Sequence, residues 1–234
     1  MDGFSWSILL AAGGVGVIHT ILGPDHYLPF LMIGRARQWG RGHTVLVATA
    51  CGLAHILSSV ALGLVGLLMG LTVARLEQIE SGRGSLGAWL LVAFGVAYAV
   101  WGIRRAVRCK SGLEPHAHTD GIHLHRHGDR PHHHHGAVVA PRATFWALLT
   151  IFVVGPCEPL IPLFMLPASR GQWGLAALTA AVFGIVTLTC MAMLTLIGSS
   201  GLNRIHAGKL ERWSHTLAGV VIAISGVSIL ALGL

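Results

Sequence analysis

The sequence predicts an all-α integral membrane protein: six transmembrane helices as a 3+3 inverted repeat, with helices 1 and 4 broken by proline. Three observations carry that expectation. The chain is 53% hydrophobic and only 11% charged over 234 residues, with mean hydropathy +0.69, where soluble domains carry about 25% charged residues. Apolar stretches of about 20 residues recur, the length that spans a bilayer as helix. The string Gly23-Pro24-Asp25-His26-Tyr27-Leu28-Pro29-Phe30 returns 132 residues later as Gly155-Pro156-Cys157-Glu158-Pro159-Leu160-Ile161-Pro162. Alternating ten-residue strand patterns are absent, which excludes an outer-membrane barrel.

The spans are expected near 4–23, 44–71, 86–107, 143–166, 172–198 and 214–234. The opening stretch carries Asp2 and no basic cluster, so it reads as a retained span and not a cleaved signal. Spans 1 and 4 run into the Gly-Pro segments. Pro24 and Pro156 each remove a donor and clash with the preceding turn. Irregular backbone inside a membrane survives only where protein or a wet cavity surrounds it, so both breaks should face inward. This divides the chain into a three-helix repeat (1–107), a central loop (108–142) and a second repeat (143–234).

At an offset of 132, residues 23–102 align with 155–234 without a gap, and fourteen of 80 positions are identical. Gly42, Gly52, Gly66 and Gly87 meet Gly174, Gly184, Gly198 and Gly219. Gly/Leu/Ala-rich sequence gives several such matches by chance; the shared Gly-Pro is the stronger part. Three spans per unit make the second copy enter from the opposite side, and inverted repeats of this kind place a site at the midplane between broken helices.

Basic residues fix the expected orientation. Arg35, Arg37 and Arg41, the central loop, and Arg204, Lys209 and Arg212 share one side; Arg75, Arg83 and Arg170 alone lie on the other. The positive-inside rule makes the first side cytoplasmic. A multi-pass protein of the inner or plasma membrane is expected, with both termini outside and the loop inside. The net charge of +7 therefore marks topology and not a nucleic-acid partner. Cys51, Cys109, Cys157 and Cys190 form no CxxC, against a paired redox motif.

The loop holds His116, His118, His123, His125, His127, His132, His133, His134 and His135, nine of the chain's 15 histidines. Such tracts capture transition metals by composition; a solvated, flexible linker is the plainer alternative. Inside the expected spans the only acids are Asp25 and Glu158. Intramembrane carboxylates are costly, and they mark function by default, although Asp25 could simply cap a half-helix. His19 and His26 are seven apart, on one helical face if the break does not separate them. His55 sits in an apolar span, where a buried hydrogen bond competes with ligation. The offset pairs Asp25 with Cys157 and His26 with Glu158. Imidazole with carboxylate suits nickel, cobalt and zinc. Cys157 is either a soft ligand or a small buried packing residue. The metal-ligand candidates are thus His19, Asp25, His26, His55, Cys157 and Glu158. Cys51, Cys190, Met165, Met191 and Met193 read as packing residues.

His19 followed by Asp25-His26 resembles the His-x4-Asp-His signature of the nickel/cobalt transporter superfamily, here with five intervening residues. Six spans and a His-rich central loop resemble its nickel/cobalt efflux branch. The Gly-Pro-Asp-His and Gly-Pro-Cys-Glu strings look most like its urease-accessory-type and sulfite-exporter-labelled six-span relatives. The resemblance implies translocation of divalent nickel or cobalt, with efflux the expected direction. The ion is then substrate and not a resident cofactor, and no enzyme activity is expected. The partners are the lipid bilayer and the ion, with no nucleic acid and a homo-oligomer left open. Two other readings remain at this point. A transmembrane thiol–disulfide relay of the cytochrome c maturation type would use Pro156-Cys157, but its offset mate is Asp25. An anion exporter could use half-helix N-termini, but two carboxylates oppose it.

Overall fold

Asp2 starts the first helix: its carboxylate accepts hydrogen bonds from the Ser5 backbone N–H (3.2 Å) and hydroxyl (2.6 Å). These donors hold the Asp2 carboxyl below its usual range. From there α1 runs over Gly3–Leu22, α2 over Leu28–Ala36, α3 over Arg41–Leu68 and α4 over Val73–Lys110. The second half follows as α5 (Pro141–Val154), α6 (Leu160–Ser169), α7 (Trp173–Arg204) and α8 (Ser214–Leu232). The structure is a computed structural model describing residues 2–110, 113–118, 121–126, 141–155, 157–204 and 208–232. Apart from one short hairpin and single turns of 3-10 helix, regular structure among the described residues is α-helical.

Five helices are long and apolar enough to cross a membrane: α1, α3, α4, α7 and α8. The expected fourth span is not one such helix. It is two shorter apolar helices, α5 and α6, because Pro156 and Pro159 interrupt it. The third span begins at Val73 and not near residue 86, so it carries Glu80 and Arg83 into the bundle and leaves Glu77 exposed. Large apolar side chains stay exposed along the outer faces, among them Leu10, Ile18, Leu46, Leu53, Ile185 and Ile197. Such a surface suits lipid, not water.

Contacts at the two ends fix the helix directions. Arg170, just after α6, lies over the Phe4 ring of α1 at 4.4 Å. At the other end, Arg35 of α2 donates to the Leu202 carbonyl of α7. There too Tyr98 of α4 hydrogen-bonds His215 of α8 at 2.9 Å. Inside, α3 crosses α7 where a Cβ on Gly184 would meet Ile56 at 3.5 Å, and one on Gly52 would meet Leu188 at 3.0 Å. Helices α4 and α8 run antiparallel in near-backbone contact, because small residues let backbones approach. A Cβ on Gly219 would stand 2.6 Å from the Gly95 carbonyl, and one on Gly226 2.8 Å from the Ala88 carbonyl. Phe30, Ile33, Val47, Leu91, Leu148, Phe152, Met191 and Ile222 fill the core between these pairs.

In the expected flexible loop, Leu113–His118 and Gly121–Arg126 pair as antiparallel strands β1 and β2, with His116 opposite His123. His118 and His125 also lie on these strands. His127, His132, His133, His134 and His135 lie outside the described residues, as does Pro156.

Candidate metal centre

Each break is built from its own sequence. Helix α1 closes with the Gly23 N–H on the His19 carbonyl at 3.0 Å, and α5 closes with the Gly155 N–H on the Ile151 carbonyl at 2.8 Å. These are the same bond, 132 residues apart. Pro24-Asp25-His26 then forms one turn of 3-10 helix. The His26 ring folds back over Gly23, where a Cβ would stand 2.8 Å from the imidazole Cε1 and 3.0 Å from Asp25 Oδ1. Only glycine permits that fold. The His26 Nδ1 faces Asp25 Oδ1 at 3.2 Å and the Gly23 carbonyl at 3.2 Å.

The second break is satisfied from outside. Proline 156 has no N–H for the Phe152 carbonyl, four residues back. His55 Nδ1 of α3 takes that carbonyl at 3.1 Å. The next carbonyl, Val153, accepts from Arg83 Nη2 of α4 at 2.7 Å. Carbonyls freed from a helix need such partners in a bilayer, whether inside the protein or facing lipid.

Three donors converge at the breaks. The ligand atoms of His19 (α1), His55 (α3) and Cys157 (second break) all lie within 4.8 Å of one another. Cys157 Sγ is 3.8 Å from His19 Nε2. The His26 ring stands edge-on to His19 (4.6 Å between centroids) and to His55 (5.5 Å). Cys157 is fully buried, and His26 and His55 are each 3% exposed.

The tautomers follow from the partners. His55 Nδ1 faces a carbonyl and therefore carries the proton, which leaves the Nε2 lone pair free. His26 Nδ1 likewise carries a proton, since it faces a carboxylate and a carbonyl, and in the neutral ring its Nε2 lone pair is free. Both Nε2 atoms are buried without a hydrogen-bond partner. Buried unsatisfied acceptors are costly, and an electron-pair acceptor supplied from outside would relieve both. A carboxylate or carbonyl on the far ring nitrogen is how proteins orient metal-binding histidines.

A cavity of about 310 Å³ reaches these groups. Its walls include Ile18, Leu22, Leu91 and Ile151, and Asp25 and Glu158 also line it. Five of the six candidates, His19, Asp25, His26, His55 and Glu158, thus border one space, Cys157 lies buried beside His19, and the six do not act alike. His19, His55 and Cys157 form the compact trio, Asp25 holds His26, and Glu158 stands in the wall. Cys51 is buried in the core, and Met191 packs against Gly52.

Two residues were not expected at the site: Glu80, and Arg83, which the sequence marked only as a basic residue outside the spans. Glu80 is fully buried and pairs with Arg83 at 3.0 Å. The polar stretch before residue 86 hid them, although their i, i+3 spacing with opposite charge was a usable signal.

No family model, no curated protein and no solved structure matches this chain.

Proposed function

We propose that the chain is a permease for a late first-row divalent ion, nickel or cobalt foremost, with zinc as a further candidate. The observation that carries this reading is the His19–His55–Cys157 trio, in which His55 Nε2 is buried and unbonded, with the unbonded His26 Nε2 beside it. Two nitrogens and a sulfur suit late transition ions, whereas magnesium, calcium and manganese prefer oxygen. The trio draws on α1, α3 and the second break, so relative motion of those elements would make and unmake it.

The proposal includes the inverted repeat. Element boundaries support it at the same offset of 132: α1 and α5 end at Leu22 and Val154, α2 and α6 begin at Leu28 and Leu160, and α3 and α7 begin at Arg41 and Trp173. Packing supports it too, since α1 lies on α7 as α5 lies on α3. On this reading α5 and α6 together make the sixth crossing. The arginine-rich end bearing Arg35 and Arg37 is cytoplasmic, and the histidine hairpin on that side collects ions for efflux. The cavity, lined by α1 residues together with Leu91 of α4 and Ile229 of α8, is the open half of an alternating pathway.

Purified chain in proteoliposomes is expected to carry nickel or cobalt in a saturable manner. Asp25→Ala and His26→Ala should each lower that flux by at least roughly tenfold, the usual cost of losing a group that orients or joins a metal site. Undiminished flux in both variants would remove the reading.

A further inference from the structure

Arg83 has no role in the metal trio, yet it makes more directed polar contacts than any neighbour of the second break. Its Nη2 donates to the Val153 carbonyl at 2.7 Å and to the Ser58 hydroxyl at 3.1 Å. Its Nη1 meets Glu80 at 3.0 Å. The Ser58 hydroxyl in turn donates to the His55 carbonyl at 2.8 Å. One guanidinium therefore joins α4, α3 and the end of α5. It does so within electrostatic reach of both His55 and Cys157.

The chemistry of the break explains the need. In an unbroken helix the Val153 carbonyl would accept from residue 157. The turn at 155–159 ends that ladder, and α6 restarts only at Leu160. A carbonyl left open on the outer face of a membrane helix costs free energy, because lipid offers it no donor. Arg83 supplies the missing donor with a planar fork that no lysine reproduces. Glu80 is wholly buried, and a buried carboxylate persists only when paired. Helix α4 thus carries its own counter-ion for a guanidinium whose other contacts lie on two other elements.

We infer that Arg83 is a positioning residue: it replaces the helical donor lost at the second break, fastens α5 to α3 and α4, and thereby fixes where Cys157 and His55 stand. The latch itself stands on its hydrogen bonds. Its consequence for ion binding rests on the metal-permease reading.

The chain reports on the latch through its own cysteines. Cys157 follows the latched carbonyl, while Cys190 is half-buried on α7. Full-length protein in native membranes is treated with N-ethylmaleimide, and each cysteine is followed by peptide mass spectrometry. Arg83→Gln is expected to raise the Cys157 labelling rate roughly ten- to hundredfold, the range set by losing hydrogen bonds to a charged donor. Cys190 should not change. Arg83→Lys should recover part of the protection, because one ammonium can reach a single acceptor. Where Arg83→Gln fails to accumulate, Ser58→Ala removes one latch acceptor and should raise Cys157 labelling by a smaller factor. An unchanged Cys157 rate in whichever variant accumulates, or Cys190 rising in step with Cys157, overturns the inference. Nickel added to wild-type protein tests the metal reading alone. Failure to protect Cys157 would sink that reading and leave the latch to be judged by the variants.

Discussion

A Gly95→Leu chain is expected to be lost before it can be purified. Along the α4–α8 seam the two backbones come within contact of each other. A Cβ at Gly95 would meet the Gly219 carbonyl at 2.7 Å and also the Ala223 backbone. Both obstacles are backbone, so no rotamer change relieves them. Overpacking against movable side chains costs about 1–3 kcal/mol; here two helices must separate along their length. The separation would unseat Leu91 and Ile222, which are buried at 2% and 0% exposure in the same core. Gly219→Leu should behave alike, since its Cβ would fall 2.6 Å from the Gly95 carbonyl. Gly13→Leu and Gly14→Leu are the controls, because nothing lies within 4 Å of a Cβ at either position. The measurement is the yield of monodisperse protein by size-exclusion chromatography in detergent. Near-wild-type yield for Gly95→Leu would mean that α4 and α8 do not pack through their glycines. Ordinary helical glycines gain about 1 kcal/mol on replacement by alanine, which makes failure here diagnostic of packing and not of propensity.

The seam was half legible beforehand. Offset matching picked out Gly52, Gly66 and Gly87 with their partners, and two of these do mark crossings. Gly52 and Gly184 sit where α3 meets α7, and Gly87 lies against Gly155 with a Cβ-to-Cα distance of 3.0 Å. Gly95 and Gly102 have no glycine at the offset, so repeat matching passed over them. Helical fold class and the two Gly-Pro breaks could be read because each has a local cause: hydrophobic length in one case, a missing N–H in the other. Which histidines would gather was not local. His55 lies 36 residues from His19 and reaches it only through the packing of α1 and α3 on α7. The His55 bond to the Phe152 carbonyl depends on the break leaving that carbonyl open, a fact visible only once both helices are placed. Glu80 and Arg83 were missed for a related reason. A hydropathy reading ends a span where charge begins, whereas α4 continues because its charged side chains pair with each other and with α3 and α5.

His55→Ala should have the largest effect on ion binding. The substitution removes the Nε2 lone pair and at the same time bares the Phe152 carbonyl that Nδ1 now holds at 3.1 Å. Loss of a group that merely orients a ligand costs roughly 10- to 100-fold in metal affinity, and loss of the ligand itself should exceed that range. Asp25→Asn supplies the comparison. Its oxygen still accepts from His26 Nδ1, now without charge, so the loss should fall within or below the range for orienting groups. Cys157→Ser asks a different question. A hydroxyl is a harder donor than a thiolate, so affinity for nickel, cobalt and zinc should fall steeply while that for manganese changes little. Cys190→Ser, on α7 and outside the trio, should leave every ion unchanged. Titration of detergent-solubilised protein with each ion, by calorimetry or competition with a chelating dye, gives the series. Binding by wild type should weaken as the pH falls, because imidazoles and a thiol must shed protons before they can ligate. That dependence should flatten in His55→Ala if His55 is one of the groups that must do so. Equal nickel affinity in wild type, His55→Ala and Cys157→Ser would show that the trio is a packing coincidence around a dry cavity, and the permease reading would lose its centre.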